Sequence, residues 1–217
     1  ATLAYTISGT PFVDHHATFF LLIGTYLIIY ALNKKDKMIL WPIIVFIFSL
    51  SFLSKQVPVV YAIILQGSLI LFLILKERLF KILITIFISV VVITLIFFLF
   101  LFFLGIEIQL FYTQYIDYPR TIGTDRFSNL NKSFESIFNQ YKYIIFPIIF
   151  TIFLKFKKRS FDLIKNINFF IAIALGISLF YHQILTKNQI YIYFIIPIFF
   201  SFFHSEILKQ NYKFKNF

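Results

Sequence analysis

Asp14, His15 and His16 stand together at the start of an apolar run, directly after Gly9-Thr10-Pro11-Phe12-Val13. A carboxylate in that position has two uses. It can satisfy free N–H groups and favour the dipole at the beginning of a helix. It can also hold a metal ion or an acceptor group at a membrane surface, with the imidazoles carrying protons or donating to phosphate. Adjacent histidines point about 100° apart on a helix, so they make a poor pair for one metal. Lys55 and Gln56 lie in Leu53-Ser54-Lys55-Gln56-Val57-Pro58, between two apolar runs. A lysine there either snorkels to the headgroups or offers a point cation to a lipid phosphate. Pro58 suits the first turn of the following helix.

Arg120 and Arg126 flank Gly123 in a stretch with turn chemistry. Their guanidinium forks fit phosphate oxygens, and the alternative is pairing with Asp117 and Asp125 on a solvated loop. A last polar group, His182, Lys187, Asn188 and Tyr191, interrupts two late apolar runs. Tyr at that depth is also expected of an interfacial belt. His204 and Glu206 read as solvated residues near the end of the final run. No P-loop, GxGxxG, nucleophile elbow or HExxH motif occurs, which leaves soluble nucleotide chemistry without support.

The elements that must position these groups are membrane helices. Hydrophobic residues make up 60% of the chain, charged residues 13%, and the mean hydropathy is +0.88, whereas soluble domains carry about 25% charged residues. The apolar runs approach the roughly 20 residues a helix needs to cross the hydrocarbon, and the alternation of a β-barrel is missing. The expected fold is therefore all-α, a polytopic transmembrane bundle forming one domain over 1–217. Seven spans are read: 14–32, 38–53, 56–75, 81–106, 141–156, 167–185 and 189–208. With no cysteine, disulfides and thiolate metal sites are excluded. The net charge of +11 sits in short clusters between the runs, which is a topology signal and not a nucleic-acid surface.

With the start of the first run placed outside, the clusters around Lys34, Arg78, Lys158 and Lys213 all fall inside. Of the 20 basic residues, the opposite side takes Lys55, Arg120, Arg126, Lys132, Lys142 and Lys187. The positive-inside rule then predicts a cytoplasmic C-terminus. The polar groups with possible chemistry share the other, non-cytoplasmic face. The connection between the fourth and fifth runs is the one long loop, and long loops are usually functional or disordered. Its second half, Phe127, Leu130, Phe134, Ile137, Phe138 and Tyr141, repeats at three- and four-residue spacing, which predicts an amphipathic helix in the interface.

Three stretches resemble the GT-C-fold membrane glycosyltransferases, in particular the bacterial relatives of dolichyl-phosphate-mannose protein mannosyltransferases and of the lipid A aminoarabinose transferase. Residues 9–20, Gly9-Thr10-Pro11 through Asp14-His15-His16 to Phe20, are similar to that family's second acidic motif. Phe52 to Pro58 is similar to its lysine-containing outer hairpin. Lys187-Asn188-Gln189-Ile190-Tyr191 through Pro197 is similar to its entry into a late helix.

The resemblance implies a sugar moved from a polyprenyl-phosphate donor to a lipid, glycan or protein acceptor, with inversion. Asp14, His15 and His16 would be catalytic; Lys55, Gln56, Arg120, Arg126, Lys187, Asn188 and Tyr191 would bind substrate. No cofactor is specified, and a divalent metal is one candidate. The family's upstream acidic pair has no counterpart here, and the chain begins without Met, so the expectation is a fragment lacking N-terminal helices and a first outer loop, inactive by itself. The implied location is a bacterial inner (plasma) membrane, with no nucleic-acid partner. The competing class is a lipid-linked oligosaccharide flippase, polymerase or other transporter, followed by a structural scaffold. The lack of ionisable residues in mid-run argues against an ion-coupled transporter.

Overall fold

The computed structural model describes residues 13–34, 37–121, 134–157, 162–186 and 192–214. All regular structure among them is helical. In chain order the helices are α1 (Val13–Asn33), α2 (Leu40–Ser54), α3 (Gln56–Glu77), α4 (Phe80–Phe103), the short α5 (Ile108–Tyr112) running into a π-helical turn (Thr113–Asp117), α6 (Phe134–Lys157), α7 (Ile167–Thr186) and α8 (Ile192–Phe214). Among the described residues, four stretches are long and apolar enough to cross a membrane: Asp14–Asn33, Gln56–Glu77, Phe80–Phe103 and Ile167–Leu185, with α2 a shorter apolar helix. A helix stands at each of the seven expected runs. The criterion of length and composition singles out these four.

The expected interfacial helix takes a different form. Residues 127–133 lie outside the described residues, and from Phe134 onward the helix continues without a break into the apolar run, making one element to Lys157. Conversely, the first half of the same loop, expected only as a connection, is helical through α5 and the π turn.

Contacts between helices follow close approach and shape. α1 lies along α2, where the backbone at Gly24 touches the Phe48 ring so closely that a Cβ would sit 2.5 Å from it. Small residues permit such approach between membrane helices. Ser51 Oγ donates to the Ala17 carbonyl at 2.6 Å across the same contact. α2 buries Trp41, Ile44, Phe48 and Ser51, a stripe at three- and four-residue spacing. α3 packs along α7, α6 along α8, and α2 also against α4. Gly176 of α7 meets the Phe199 ring of α8 in the same manner as Gly24 meets Phe48. Mid-bundle, the Gln66 amide donates to Thr25 Oγ1 at 3.0 Å and to the Ile171 carbonyl at 3.3 Å, tying α3 to α1 and α7. α4 stands apart, with only Ile82, Ser89 and Leu101 buried.

α3 ends at Arg78 in the left-handed conformation (φ 55°), and Leu79 N–H donates to the Ile74 carbonyl at 2.9 Å, closing the helix with a Schellman-like turn. α7 is preceded by Asp162, whose Oδ1 accepts from the backbone N–H of Ile164 at 2.8 Å. Backbone N–H donation from Lys165 first and Ile164 second holds the Asp162 carboxyl below the usual carboxylate range.

One expectation is corrected at the end of the bundle where α6 and α8 finish. Glu206, read from the sequence as solvated, is 5% exposed. Lys155 Nζ donates to it at 3.0 Å and to Asn166 Oδ1 at 2.5 Å, and Lys209 Nζ reaches it at 2.8 Å. A carboxylate shared by two ammonium groups tolerates burial that an unpaired one would not. His204 is exposed as expected.

Candidate active site

The opposite end of the bundle gathers the start of α1, the joint between α2 and α3, α5 with its π turn, and the end of α7. The joint is a single residue. Lys55 is extended (φ −162°, ψ 130°) between two helices, and Val57 is also non-helical, so α3 becomes regular only from Pro58. A connection this short fixes the depth and direction of the lysine stem.

The Asp14 carboxylate, in the first turn of α1, forms an ion pair with the Lys55 ammonium. His182 Nε2, from the last turns of α7, lies 3.9 Å from the same carboxylate oxygen. Two helices and the joint between two others thus contribute one acid, one imidazole and one cation to a single cluster. His182 is 2% exposed at its side chain, while Asp14 and Lys55 are 21% and 25% exposed, so the cluster is open on the side of the acid and the lysine. His15 is buried and His16 exposed, as expected for neighbours on a helix.

A second layer braces the joint. Gln56 Nε2 donates to the Tyr115 carbonyl at 2.6 Å, and the Tyr115 hydroxyl donates to the Phe52 carbonyl. The Tyr115 ring stacks on Phe111 at 4.9 Å and meets Phe52 edge-on at 6.0 Å. Burial pushes the Tyr115 hydroxyl far above its ordinary range, keeping it a neutral donor. The π turn therefore straps the α2–α3 joint. Gln56, expected at the substrate, spends its amide on this strap.

Beneath the strap an apolar cavity of about 640 Å³ runs between α2, α3 and α4, from Trp41, Ile74 and Leu83 at the far end to Phe52, Phe97 and Phe111 at the near end. Gly67 lies on its wall, and a Cβ there would meet nothing within 4 Å. Ile63, Leu71 and Phe98, also lining it, are each more than a third exposed, so the cavity opens sideways between α3 and α4.

Of the residues expected at the site, Asp14 and Lys55 are brought together, with Gln56 adjacent. Arg120 is exposed at the end of the described part of the long loop, with no ion pair among the described residues. Arg126, Lys187, Asn188 and Tyr191 lie outside the described residues. Among the described residues no group of three His, Cys, Asp or Glu is placed to hold a metal ion. Sequence reasoning did not give His182 a role in the cluster. The signal was present: Tyr181-His182-Gln183 breaks the apolar run of α7 one turn before its end. Gln183 is also buried, with neither amide atom hydrogen-bonded among the described residues.

Compared with known proteins, the chain matches no family model, no curated protein and no solved structure.

Proposed function

We propose that this protein is a membrane glycosyltransferase that moves a sugar from a polyprenyl-phosphate donor to an acceptor on the non-cytoplasmic face of a bacterial plasma membrane. The observation that carries the reading is the convergence of Asp14, Lys55 and His182 at one end of an apolar helical bundle. Ionisable groups near hydrocarbon are costly and are retained mainly where they act. The open apolar cavity ending at Phe52, three residues before Lys55, suits the hydrocarbon chain of a lipid-linked donor.

In this reading the acceptor hydroxyl attacks the anomeric carbon, and its proton passes to a carboxylate. The bond from that carbon to the phosphate oxygen breaks, and Lys55 stabilises the charge left on the phosphate. The cluster as described supplies one carboxylate, Asp14. The test is transfer of labelled sugar from a polyprenyl-phosphate donor to acceptor by the intact protein in proteoliposomes. Label found on the acceptor supports the transferase; donor crossing the bilayer with its sugar still attached would replace it with the flippase reading.

That second reading has one observation in its favour. The buried Lys155–Glu206 pair, with Lys209, links α6 and α8 at the far end of the bundle, and buried ionisable pairs in membrane helices also mark transport pathways. Its site is distant from Asp14 and Lys55, and the apolar cavity does not reach it.

A further inference from the structure

We propose that Lys55 and His182 form an anion site in which the Asp14 carboxylate is the resident counter-ion, to be displaced by the phosphate of a bound lipid. The inference rests on the glycosyltransferase reading and deepens it by assigning how the cation is kept and released.

Among the described residues Asp14 is the acid paired with Lys55. Its Oδ1 also faces His182 Nε2 at 3.9 Å, so one carboxylate oxygen occupies the place between an ammonium and an imidazole. The donor's phosphodiester carries one charge, as a carboxylate does, and competes for the pair with the help of its lipid chain; the phosphate monoester left after transfer carries more charge and more acceptor oxygens. The two halves of the site are set by rigid parts of the fold. Lys55 is fixed by a one-residue joint strapped through Gln56 and Tyr115. His182 is carried on α7, which is tied to α3 and α1 through Gln66.

The carboxylate is the adaptable member. It sits in the first turn of α1 and is partly exposed, so a change of rotamer withdraws it without moving the helix. The apolar cavity reaches Phe52 and Leu53, within one turn of Lys55 in the chain, so a lipid lying in it with its headgroup at that end approaches the joint. Exchange breaks no covalent bond. It leaves the phosphate on Lys55 and frees the Asp14 carboxylate beside the reacting carbon, where an unpaired carboxylate can accept the acceptor's proton.

The experiment is binding of farnesyl phosphate, and separately of inorganic phosphate, to the intact protein in detergent micelles, for wild type, Asp14→Asn and Lys55→Gln. Asparagine keeps the size and hydrogen-bonding ability of aspartate but no longer competes as an anion. Asp14→Asn is expected to bind farnesyl phosphate about three- to tenfold more tightly, the effect of removing one partly exposed ionic competitor. Lys55→Gln should lose binding. Inorganic phosphate should bind far more weakly to all three if the lipid chain contributes, whereas equal binding of both phosphates would overturn the lipid assignment. Unchanged or weaker binding of farnesyl phosphate by Asp14→Asn, with wild type binding normally, would overturn the counter-ion role and leave the transferase reading standing. Failure of wild type and Asp14→Asn alike to bind it, with both folded by circular dichroism, would overturn both.

Discussion

At the scale of single residues, the proposed donor-binding role of Lys55 rests on its setting. Its stem is held by a one-residue joint, its charge is matched by Asp14, and an apolar cavity ends at Phe52, three residues before it in the chain. In the intact protein, Lys55→Ala is therefore expected to raise the KM for the lipid-linked donor at least tenfold. Lys187→Ala, in the connection between α7 and α8, should change it by less than twofold. Steady-state kinetics with varied donor measures both, and equal, small effects would return Lys55 to a headgroup anchor. Asp14 and Lys55 were legible in the sequence because each is a charge at the edge of an apolar run. Their pairing was not, because nothing local specifies which helix starts and joints share one end, and His182 lies still farther along the chain. Glu206 shows the same limit in reverse: a charge near the end of a run looks solvated until Lys155 and Lys209 arrive from another helix and from the next turn.

At the scale of elements, the bundle depends on glycine where helices touch and tolerates change where the cavity is open. A leucine at Gly24 would drive its side chain into the Phe48 ring, whereas a leucine at Gly67 would project into empty space on the cavity wall. Gly24→Leu is expected to destabilise the protein by about 1–3 kcal/mol through overpacking. Gly67→Leu should leave thermal stability within about 0.5 kcal/mol, as for substitutions away from packed contacts, and weaken use of long-chain donors by narrowing the cavity. Thermal melts in detergent and transfer assays with donors of different chain length separate the two. Loss of stability in Gly67→Leu, or indifference to chain length, would count against a lipid chain in this cavity. The helices themselves were readable from long apolar runs. The α5 and π-turn strap was not, since its few turns have too little apolar periodicity to stand out, and its place is fixed by Gln56 and Tyr115.

At the scale of the whole molecule, the bundle has two unlike ends. One carries Asp14, Lys55, His182 and the strap; the other carries the Lys155–Glu206–Lys209 cluster. In the proposed orientation, which follows the distribution of lysine and arginine, the first end faces away from the cytoplasm. A cysteine introduced at Ser133 should then react with an impermeant thiol reagent added to intact cells, and one at Ser160 should not. The reverse pattern would turn the site to the cytoplasm. The central claim is that the Asp14 end performs sugar transfer, and turnover by Asp14→Asn in the intact protein tests it most directly. Asparagine preserves the shape at the start of α1 and removes the basicity, so the account predicts that transfer from a polyprenyl-phosphate donor falls by roughly 10²- to 10⁴-fold while the protein remains folded in the membrane; turnover near that of wild type would contradict it.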